Sequence, residues 1–344
     1  MNNSNISFYK KYFKFLLITI FFFYLLLNYT LQNYVNSHTT KDFYVEEIRS
    51  KLKHLELQNH PQKDFIFIGN SRTLFHISTK QFEDNNLSVY NLGISSIDIT
   101  QYFKLSNALL HQKQKSKNIV ISLRVNSLFN NKKFFPSYGH RLDDLILSIK
   151  SMNLKHIYYT TKSCIENIRL SYWGQLQIKK YVQEWYFNKK TISFHDIFKK
   201  HKINLDCKPF AYSDSLASAV LCTNGDGVIL KQNNNIYTTS KITELINYND
   251  SYIEGVNLLI TNIQNAGIHP IIVFEPILYA NYEYDLYEIK SRLHNHHIID
   301  LTGMQFDINQ WADRLHLNKD GREIYSTKLI KELNSGSIIN RTYN

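Results

Sequence analysis

Apolar residues fall into two kinds of pattern along the chain. Short continuous apolar runs that end at a glycine or a polar residue, such as Phe65–Gly69, are typical of buried strands in a parallel sheet. Longer stretches with apolar residues three and four apart are typical of helices. Strands are predicted at 65–69, 87–93, 118–125, 268–274 and 297–301, and helices at 73–82, 97–110, 252–266, 283–293 and 319–333. This alternation predicts an α/β domain with a parallel sheet, because right-handed crossovers join such strands.

Residues 130–250 interrupt the alternation. Helices are predicted there at 142–149 and 162–187, and turn residues at 222–227 favour a hairpin or an extended loop. We interpret 130–250 as an inserted region that caps the sheet edge. The predicted division of the chain is a tail and anchor at 1–29, a stalk at 30–60, a domain at 61–335 and a second tail at 336–344.

The most apolar stretch lies near the N-terminus and predicts a transmembrane anchor. Residues 15–27 are almost wholly apolar, and with their flanks they approach the ~20 residues that span a bilayer. Three lysines precede the segment, and the next basic residue after it is Lys41. The positive-inside rule therefore places the N-terminus in the cytoplasm and the following domain outside it. A cleaved signal peptide and a buried core helix are the alternatives, although no small-x-small cleavage site follows the segment.

Charge narrows the class of partner. The 344 residues carry a formal net charge of +11, but the lysines and arginines are scattered in ones and twos, without zinc-finger or RNA-binding signatures. We therefore expect attraction to an anionic membrane or polymer surface and no nucleic acid.

The sequence indicates neither a metal site nor a cofactor. The three cysteines, Cys164, Cys207 and Cys222, have no CxxC spacing, and the histidines of segment 294–297 have no carboxylate or cysteine at ligand spacing. Cys207 and Cys222 form a disulfide or remain two buried thiols; the spacing does not decide between these alternatives.

Candidate chemistry lies where predicted strands end. Ser71 follows the strand at 65–69 at the start of a predicted helix, the arrangement in which an α/β fold presents a nucleophile. A serine hydroxyl needs an imidazole to accept its proton and a carboxylate to orient that imidazole, and Asp313 and His316 have the required short spacing. Gly93 and Asn126 end the next two strands, so their N–H and amide groups are predicted to stabilise an oxyanion.

Two further segments have two interpretations each. Glu275 ends the strand at 268–274 and either caps a loop or contacts substrate. Residues 225–227 form either a plain turn or part of the wall of an active-site cleft.

Three segments together resemble the SGNH (GDSL-type) hydrolases. They are Gly69-Asn70-Ser71-Arg72, Asn91-Leu92-Gly93 and the run from Asp313 to Gly321 that precedes the last predicted helix. Asn70 stands where the family usually has Asp, as in some membrane-anchored members that act on cell-surface polymers. The third block of the family, Gly-x-Asn-Asp, has no glycine or aspartate here. The resemblance implies a flavodoxin-like three-layer α/β/α sandwich and serine-dependent acyl transfer or ester hydrolysis, over about 60–130 and 250–335.

Anchor and candidate residues together predict a function. We expect a membrane-anchored, extracytoplasmic serine acyltransferase or esterase that acts on O-acyl groups of a cell-surface polysaccharide or similar polymer. A membrane protein that carries acyl groups across the bilayer is a potential partner. The alternative is a non-catalytic binding or assembly protein on the same scaffold, and a lipase-like enzyme is a weaker option because the insertion contains no apolar lid pattern.

Overall fold

The computed structural model of the chain describes residues 62–95, 97, 99–110, 116–129, 207–213, 219–230, 242–278, 281–294 and 296–335. It also describes isolated residues at 15, 16, 18, 19, 22, 23, 51, 154, 157, 158, 161 and 205. The helices predicted at 142–149 and 162–187 lie outside the described residues, as do most of the anchor and stalk and the tail at 336–344.

Strands and helices alternate along the described residues. The strands are β1 (Phe65–Gly69), β2 (Val89–Gly93), β3 (Asn118–Leu123), β4 (Pro209–Ser213), β5 (Ala219–Cys222), β6 (Gly227–Ile229), β7 (Ile242–Glu244), β8 (His269–Phe274), β9 (Asn281–Glu283) and β10 (Ile298–Asp300). The helices are α1 (Ser71–His76), α2 (Thr79–Asp84), α3 (Ile99–Leu110), α4 (Asp250–Asn265), α5 (Leu286–Arg292) and α6 (Lys319–Ser335), with 3-10 turns at Val125–Phe129 and Ile308–Gln310.

Five strands form a central, wholly parallel sheet in the order β2-β1-β3-β8-β10. The register pairs Gly69 with Gly93 and Leu123 with Phe274, so neighbouring strands end at a common carboxyl edge. Numbered along the chain within this sheet, the order is 2-1-3-4-5, which reverses direction between β1 and β3. A doubly wound sheet binds ligands in the crevice at such a switch point.

Helices cover both faces of the sheet, as the α/β prediction requires. Alternate residues of a strand point to opposite faces. Ile66 and Ile68 of β1 pack with side chains of α3, α4 and α5, whereas Phe65 and Phe67 pack with side chains of α2 and α6. All four side chains are at most 6% exposed. Burial of each such side chain contributes about 2 kcal/mol, which explains why these strands are apolar on both faces.

A small antiparallel sheet, β4-β5-β6, lies beside the outer edge of β2. β5 and β6 form a hairpin at 222–227, one of the two structures predicted there, and a disulfide joins Cys207 to Cys222. The hairpin turn contacts the main sheet through the N–H of Asn91, which donates to Asn224 O at 2.9 Å. Gly225 is required in this turn, since its φ is +87° and a Cβ there would lie 2.1 Å from Asn91 O.

The helix predicted at 73–82 is in fact two short helices. α1 begins at Ser71 and ends at His76, and α2 begins at Thr79. The break follows from contacts with α6: Arg322 donates to Ile77 O at 2.8 Å, and the N–H of Ser78 donates to the Ser326 hydroxyl at 2.8 Å. These contacts join segments about 250 positions apart, so local periodicity does not reveal them.

The helix predicted at 283–293 begins later than expected. Asn281–Glu283 is strand β9, which pairs in parallel with β7, and α5 starts at Leu286. Asp285 sets this start, because its side chain accepts the N–H groups of Tyr287 and Glu288 at 2.8 and 3.0 Å.

Only six residues of the predicted anchor, 15, 16, 18, 19, 22 and 23, are described, and all six are helical. Among them Phe15, Phe22 and Phe23 are at least 65% exposed. Within the part of the chain that the structure describes, no helix combines the length and apolarity needed to cross a bilayer.

Candidate active site

Ser71 stands at the first position of α1, directly after the sharp turn that ends β1. Gly69 is needed in this turn because α1 passes close above it: a Cβ at position 69 would lie 1.8 Å from Thr73 Oγ1. Asn70 caps the helix, its Oδ1 accepting the N–H of Arg72 at 2.9 Å. A fixed turn therefore holds Ser71 at the carboxyl edge, beside the switch point of the sheet.

A buried ion pair fastens the start of α1 to the end of β8. Arg72 is fully buried, with Nε 3.5 Å from Glu275 Oε2, and the Thr73 hydroxyl donates to Glu275 Oε1 at 3.0 Å. Burial raises the pKa of the Glu275 carboxyl, although Arg72 and Thr73 partly oppose this shift. Glu275 is 1% exposed, so it holds the two residues that follow Ser71 instead of facing solvent.

Asp313 and His316 lie in a tight turn that precedes α6. The backbone N–H groups of Leu315 and His316 both donate to Asp313 Oδ1, at 2.7 and 2.9 Å. The N–H of Ala312 donates to His316 O at 2.8 Å, which closes the turn. These backbone bonds bring the carboxylate to the Nδ1 side of the imidazole, as the spacing of the two residues predicts.

The three predicted catalytic residues form one hydrogen-bonded row. His316 Nδ1 lies 2.9 Å from Asp313 Oδ2 and 3.0 Å from Oδ1, and His316 Nε2 lies 2.8 Å from Ser71 Oγ, across 245 positions of sequence. A carboxylate only accepts hydrogen bonds, so Nδ1 carries the proton and Nε2 accepts the serine hydroxyl. The His316 side chain is 14% exposed and that of Asp313 35%. His316 can therefore take a proton from Ser71, and a substrate can still reach the row.

The electrostatics of the row keep the carboxylate ionised. Burial alone would raise the pKa of the Asp313 carboxyl, but hydrogen bonds from the His316 ring and from the Leu315 and His316 N–H groups hold that pKa below its ordinary value. An ionised Asp313 stabilises the imidazolium that forms when His316 takes a proton. The arrangement therefore suits general-base chemistry near neutral pH.

The predicted oxyanion donors are not directed at Ser71. The N–H of Gly93 donates to Asn91 Oδ1 at 2.8 Å, and the amide of Asn126 donates to the Tyr282 hydroxyl at 3.0 Å. Asn126 Oδ1 is buried and has no hydrogen-bond partner among the described residues. Gly93 ends β2 as predicted, whereas β3 ends at Leu123, earlier than predicted, and Asn126 lies in the 3-10 turn Val125–Phe129 that follows it. The structure occupies both donors elsewhere.

The third donor that the strand-end geometry offers is the N–H of Ser71 itself. As the first residue of α1 it has no preceding helical carbonyl to bond. No acceptor for this N–H occurs among the hydrogen bonds of the described residues. It is therefore the backbone donor best placed to meet an oxyanion at Ser71.

The structure also shows what the turn at 225–227 and the histidines of segment 294–297 contact. Asp226 in the hairpin turn is fully buried, forms an ion pair with Arg322 and accepts the Thr79 hydroxyl at 2.8 Å. His294 and His296 have rings 6.3 Å apart, and among the described residues no three side chains of His, Cys, Asp or Glu come together as a metal site.

A cavity of about 390 Å³ lies between α2 and the β4-β5-β6 sheet and is separate from the row. Its walls include Lys80, Lys208 and the Cys207–Cys222 disulfide. None of the three residues of the row lines it.

Sequence reasoning missed the residues that hold the row in place. Asn91 donates to Thr73 O at 2.8 Å while accepting the N–H of Gly93, and the ring of Phe75 packs edge-on against His316 with centroids 5.2 Å apart. His76 lies 3.2 Å from Leu315 O. Asn91 lies in the recognised segment 91–93 and Phe75 is apolar, but their partners are distant in sequence, so only the fold reveals these contacts.

No model of a known protein family matches this chain, and no curated protein matches it at a significant level.

Proposed function

We propose that the protein is a membrane-anchored, extracytoplasmic serine acyltransferase or esterase that acts on O-acyl groups of a cell-surface polysaccharide or similar polymer. The observation that carries this proposal is the row in which Ser71 Oγ lies 2.8 Å from His316 Nε2 and His316 Nδ1 lies 2.9 Å from Asp313 Oδ2. Such a row needs no cofactor to activate a hydroxyl.

The proposed reaction has two halves that share the same residues. Ser71 Oγ attacks the acyl carbonyl while His316 Nε2 takes the serine proton, which gives a tetrahedral oxyanion. His316 then returns the proton to the departing alcohol oxygen as the bond between this oxygen and the acyl carbon breaks, leaving Ser71 acylated. In the second half, a sugar hydroxyl or a water attacks the acyl group and passes its proton through His316 to Ser71. Transfer and hydrolysis differ only in this second nucleophile.

The fold supports the proposed relation to SGNH hydrolases. The strand order 2-1-3-4-5 is that of flavodoxin-like sheets, and helices cover both faces. The first segment of the resemblance begins at the last residue of β1, the second ends β2, and the third runs into the first turn of α6. The row joins the first segment to the last across the carboxyl edge of the sheet.

Two observations support a location outside the cytoplasm. The disulfide between Cys207 and Cys222 is a bond that persists in oxidising compartments. The helical residues near the N-terminus expose large apolar side chains such as Phe22, which a bilayer would cover. Alkylation of the natively produced protein tests this location: we expect one modified cysteine before reduction and three after it, whereas three before reduction would contradict it.

Charge supports an anionic polymer as substrate. The net charge of +11 attracts polyanions over a distance that salt shortens. We expect the KM for an acylated anionic polymer to rise with ionic strength and the KM for a small neutral aryl acetate to stay nearly constant.

The function is tested by comparing Ser71→Ala with Ser335→Ala in the full chain. Ser335 is exposed at the end of α6 and donates to Glu332 O, so its replacement controls for the loss of a hydroxyl. We expect Ser71→Ala to abolish aryl acetate hydrolysis and polymer acetylation or deacetylation, and Ser335→Ala to retain them. Equal activity of Ser71→Ala and the parent protein would refute the proposal.

The second candidate is a non-catalytic binding or assembly protein on the same scaffold. Two observations favour it: segment 123–127 has neither the glycine nor the aspartate of the family pattern, and the donors of Gly93 and Asn126 are engaged elsewhere. Polymer binding without turnover in the parent protein, unchanged in Ser71→Ala, would support this candidate.

A further inference from the structure

His76 connects the two segments that carry the row. It is the last residue of α1, the helix whose first residue is Ser71, and its side chain is fully buried. His76 Nε2 lies 3.2 Å from Leu315 O, in the turn that carries His316. Because a carbonyl oxygen only accepts, Nε2 carries a proton and donates it to this bond.

His76 and Asp313 together bond to both polar groups of one peptide unit. The carbonyl of Leu315 and the N–H of His316 belong to the same planar group. Asp313 Oδ1 accepts that N–H at 2.9 Å, while His76 donates to that carbonyl. Because both the C=O and the N–H of this peptide are hydrogen-bonded, the backbone that sets the direction of the His316 side chain is fixed.

The surroundings of His76 keep it neutral. Burial, followed by the nearby Arg72, His316 and Arg322, holds the pKa of its imidazole well below the ordinary value. A neutral ring adds no positive charge 6.5 Å from the His316 ring, the distance between the two centroids, and so does not oppose imidazolium formation there.

We propose that His76 is a positioning residue, which holds the Leu315–His316 peptide so that the His316 imidazole meets Ser71. This role rests on the proposed function, because it concerns the geometry of the same row. His76 does not touch Ser71 or Asp313 among the described contacts, so it acts through the backbone of the turn.

The test compares three variants of the full chain. His76→Phe retains an aromatic ring but removes the donor, His76→Gln retains a neutral N–H donor near the position of Nε2, and Tyr325→Phe is the packing control. Tyr325 packs against the same ring with centroids 5.7 Å apart, and its buried hydroxyl has no hydrogen-bond partner among the described residues. Turnover of an aryl acetate is measured together with the melting temperature.

We expect His76→Phe to lower kcat about tenfold, equivalent to about 1.4 kcal/mol of barrier, and to leave KM within about twofold. His76→Gln is expected to restore kcat to within about threefold of the parent value, and Tyr325→Phe to leave it unchanged. Unchanged kcat in a folded His76→Phe variant would overturn the role. A loss in His76→Gln equal to that in His76→Phe, tracking melting temperature, would also overturn it, since this indicates packing alone.

A spectroscopic measurement separates this inference from the proposed function. The Nδ1–H of His316, bonded to Asp313, gives a low-field proton resonance that nuclear magnetic resonance detects without any turnover. We expect this resonance in the parent, Gln and Tyr325→Phe proteins, and a broadened or shifted signal in His76→Phe. An inactive parent with this pattern would defeat the proposed function alone, whereas an identical resonance in all four proteins would defeat the role of His76 alone.

Discussion

Two groups of polar residues near the carboxyl edge of the sheet differ in their hydrogen-bond partners. Ser71, His316 and Asp313 form a continuous row, whereas the predicted oxyanion donors of Gly93 and Asn126 already bond to other side chains. The comparison shows that the groups for proton transfer in the proposed reaction are already hydrogen-bonded to one another. In the proposed reaction, stabilisation of the oxyanion relies on the Ser71 N–H and on release of a second donor when substrate binds. Catalytic hydrogen bonds often form only in the complex.

The two engaged donors differ in how easily they can be released. The partner of Gly93 is Asn91, which is fully buried and also donates to Thr73 O. The partner of Asn126 is the hydroxyl of Tyr282, which is only partly buried. Release of the Asn126 amide therefore disturbs the fold less than release of the Gly93 N–H.

The largest expected effect breaks the assembled row. Asp313→Asn removes the charge that orients the Nδ1–H of His316, and an equivalent change in a serine triad lowers kcat about 10⁴-fold. We expect a similar loss in aryl acetate turnover, with KM nearly unchanged. Asp84→Asn, at an exposed pair with Lys80, serves as the control and should keep full activity. A loss below about tenfold in Asp313→Asn would show that His316 does not depend on this carboxylate.

The next largest effect is expected from the buried ion pair between Arg72 and Glu275, next to Ser71. Glu275→Leu removes both carboxyl oxygens that face the buried Arg72 guanidinium and the Thr73 hydroxyl, and loss of one partner of a buried ion pair lowers the free energy of unfolding by about 3–5 kcal/mol. Asp84→Asn breaks an exposed pair, so its expected loss is below about 1 kcal/mol. Urea unfolding of both variants measures the difference, and equal losses would contradict the role assigned to Glu275.

The loss of unfolding free energy in the same variant is expected to depend on pH. The pKa of Glu275 is raised in the folded protein, so the folded state binds this proton more strongly than the unfolded state does. The stabilisation is fully present below the ordinary pKa of glutamate and is lost as pH rises through the raised value. We therefore expect the unfolding free energy lost in Glu275→Leu, which removes the titrating group, to shrink as pH rises through this window; a loss that grows with pH would contradict the shift.

The smallest effect is expected from Asn126, whose amide donates to the Tyr282 hydroxyl. Asn126→Ala removes the amide that is predicted to bind the oxyanion, and loss of one such donor lowers kcat about 10²-fold. Tyr282→Phe is the matched control, because it removes only the hydroxyl that accepts the Asn126 amide, and we expect kcat within about threefold of the parent value. Unchanged turnover in Asn126→Ala would assign oxyanion stabilisation to backbone donors alone.

Much of the central sheet follows from the pattern of residues alone. Strands β1, β3 and β8 are mostly apolar and are buried on both faces over almost their whole length, as is typical of strands in a covered parallel sheet. Their common carboxyl edge is what brings Ser71 to His316, although the two residues are 245 positions apart. The row was therefore predictable, because strand order and local spacing together determine where its residues meet.

The parts that could not be predicted depend on partners far away in the sequence. The helix at 73–82 breaks because Arg322 and Ser326 bond to the backbone between α1 and α2. Gly93 was placed correctly at a strand end and Asn126 lies in the turn after β3, but Asn91 and Tyr282 accept hydrogen bonds from these two donors. No periodicity encodes these side-chain contacts, and the same holds for His76 and Leu315.

The most direct measurement of the central claim is the mass of the intact chain after treatment with a fluorophosphonate, which labels only an activated serine. The account predicts that the parent protein gains one label, that peptide mapping places it on Ser71, and that Ser71→Ala gains none while Ser335→Ala labels fully. An unlabelled parent protein, or a label that persists in Ser71→Ala, would contradict the claim that Ser71 is the nucleophile.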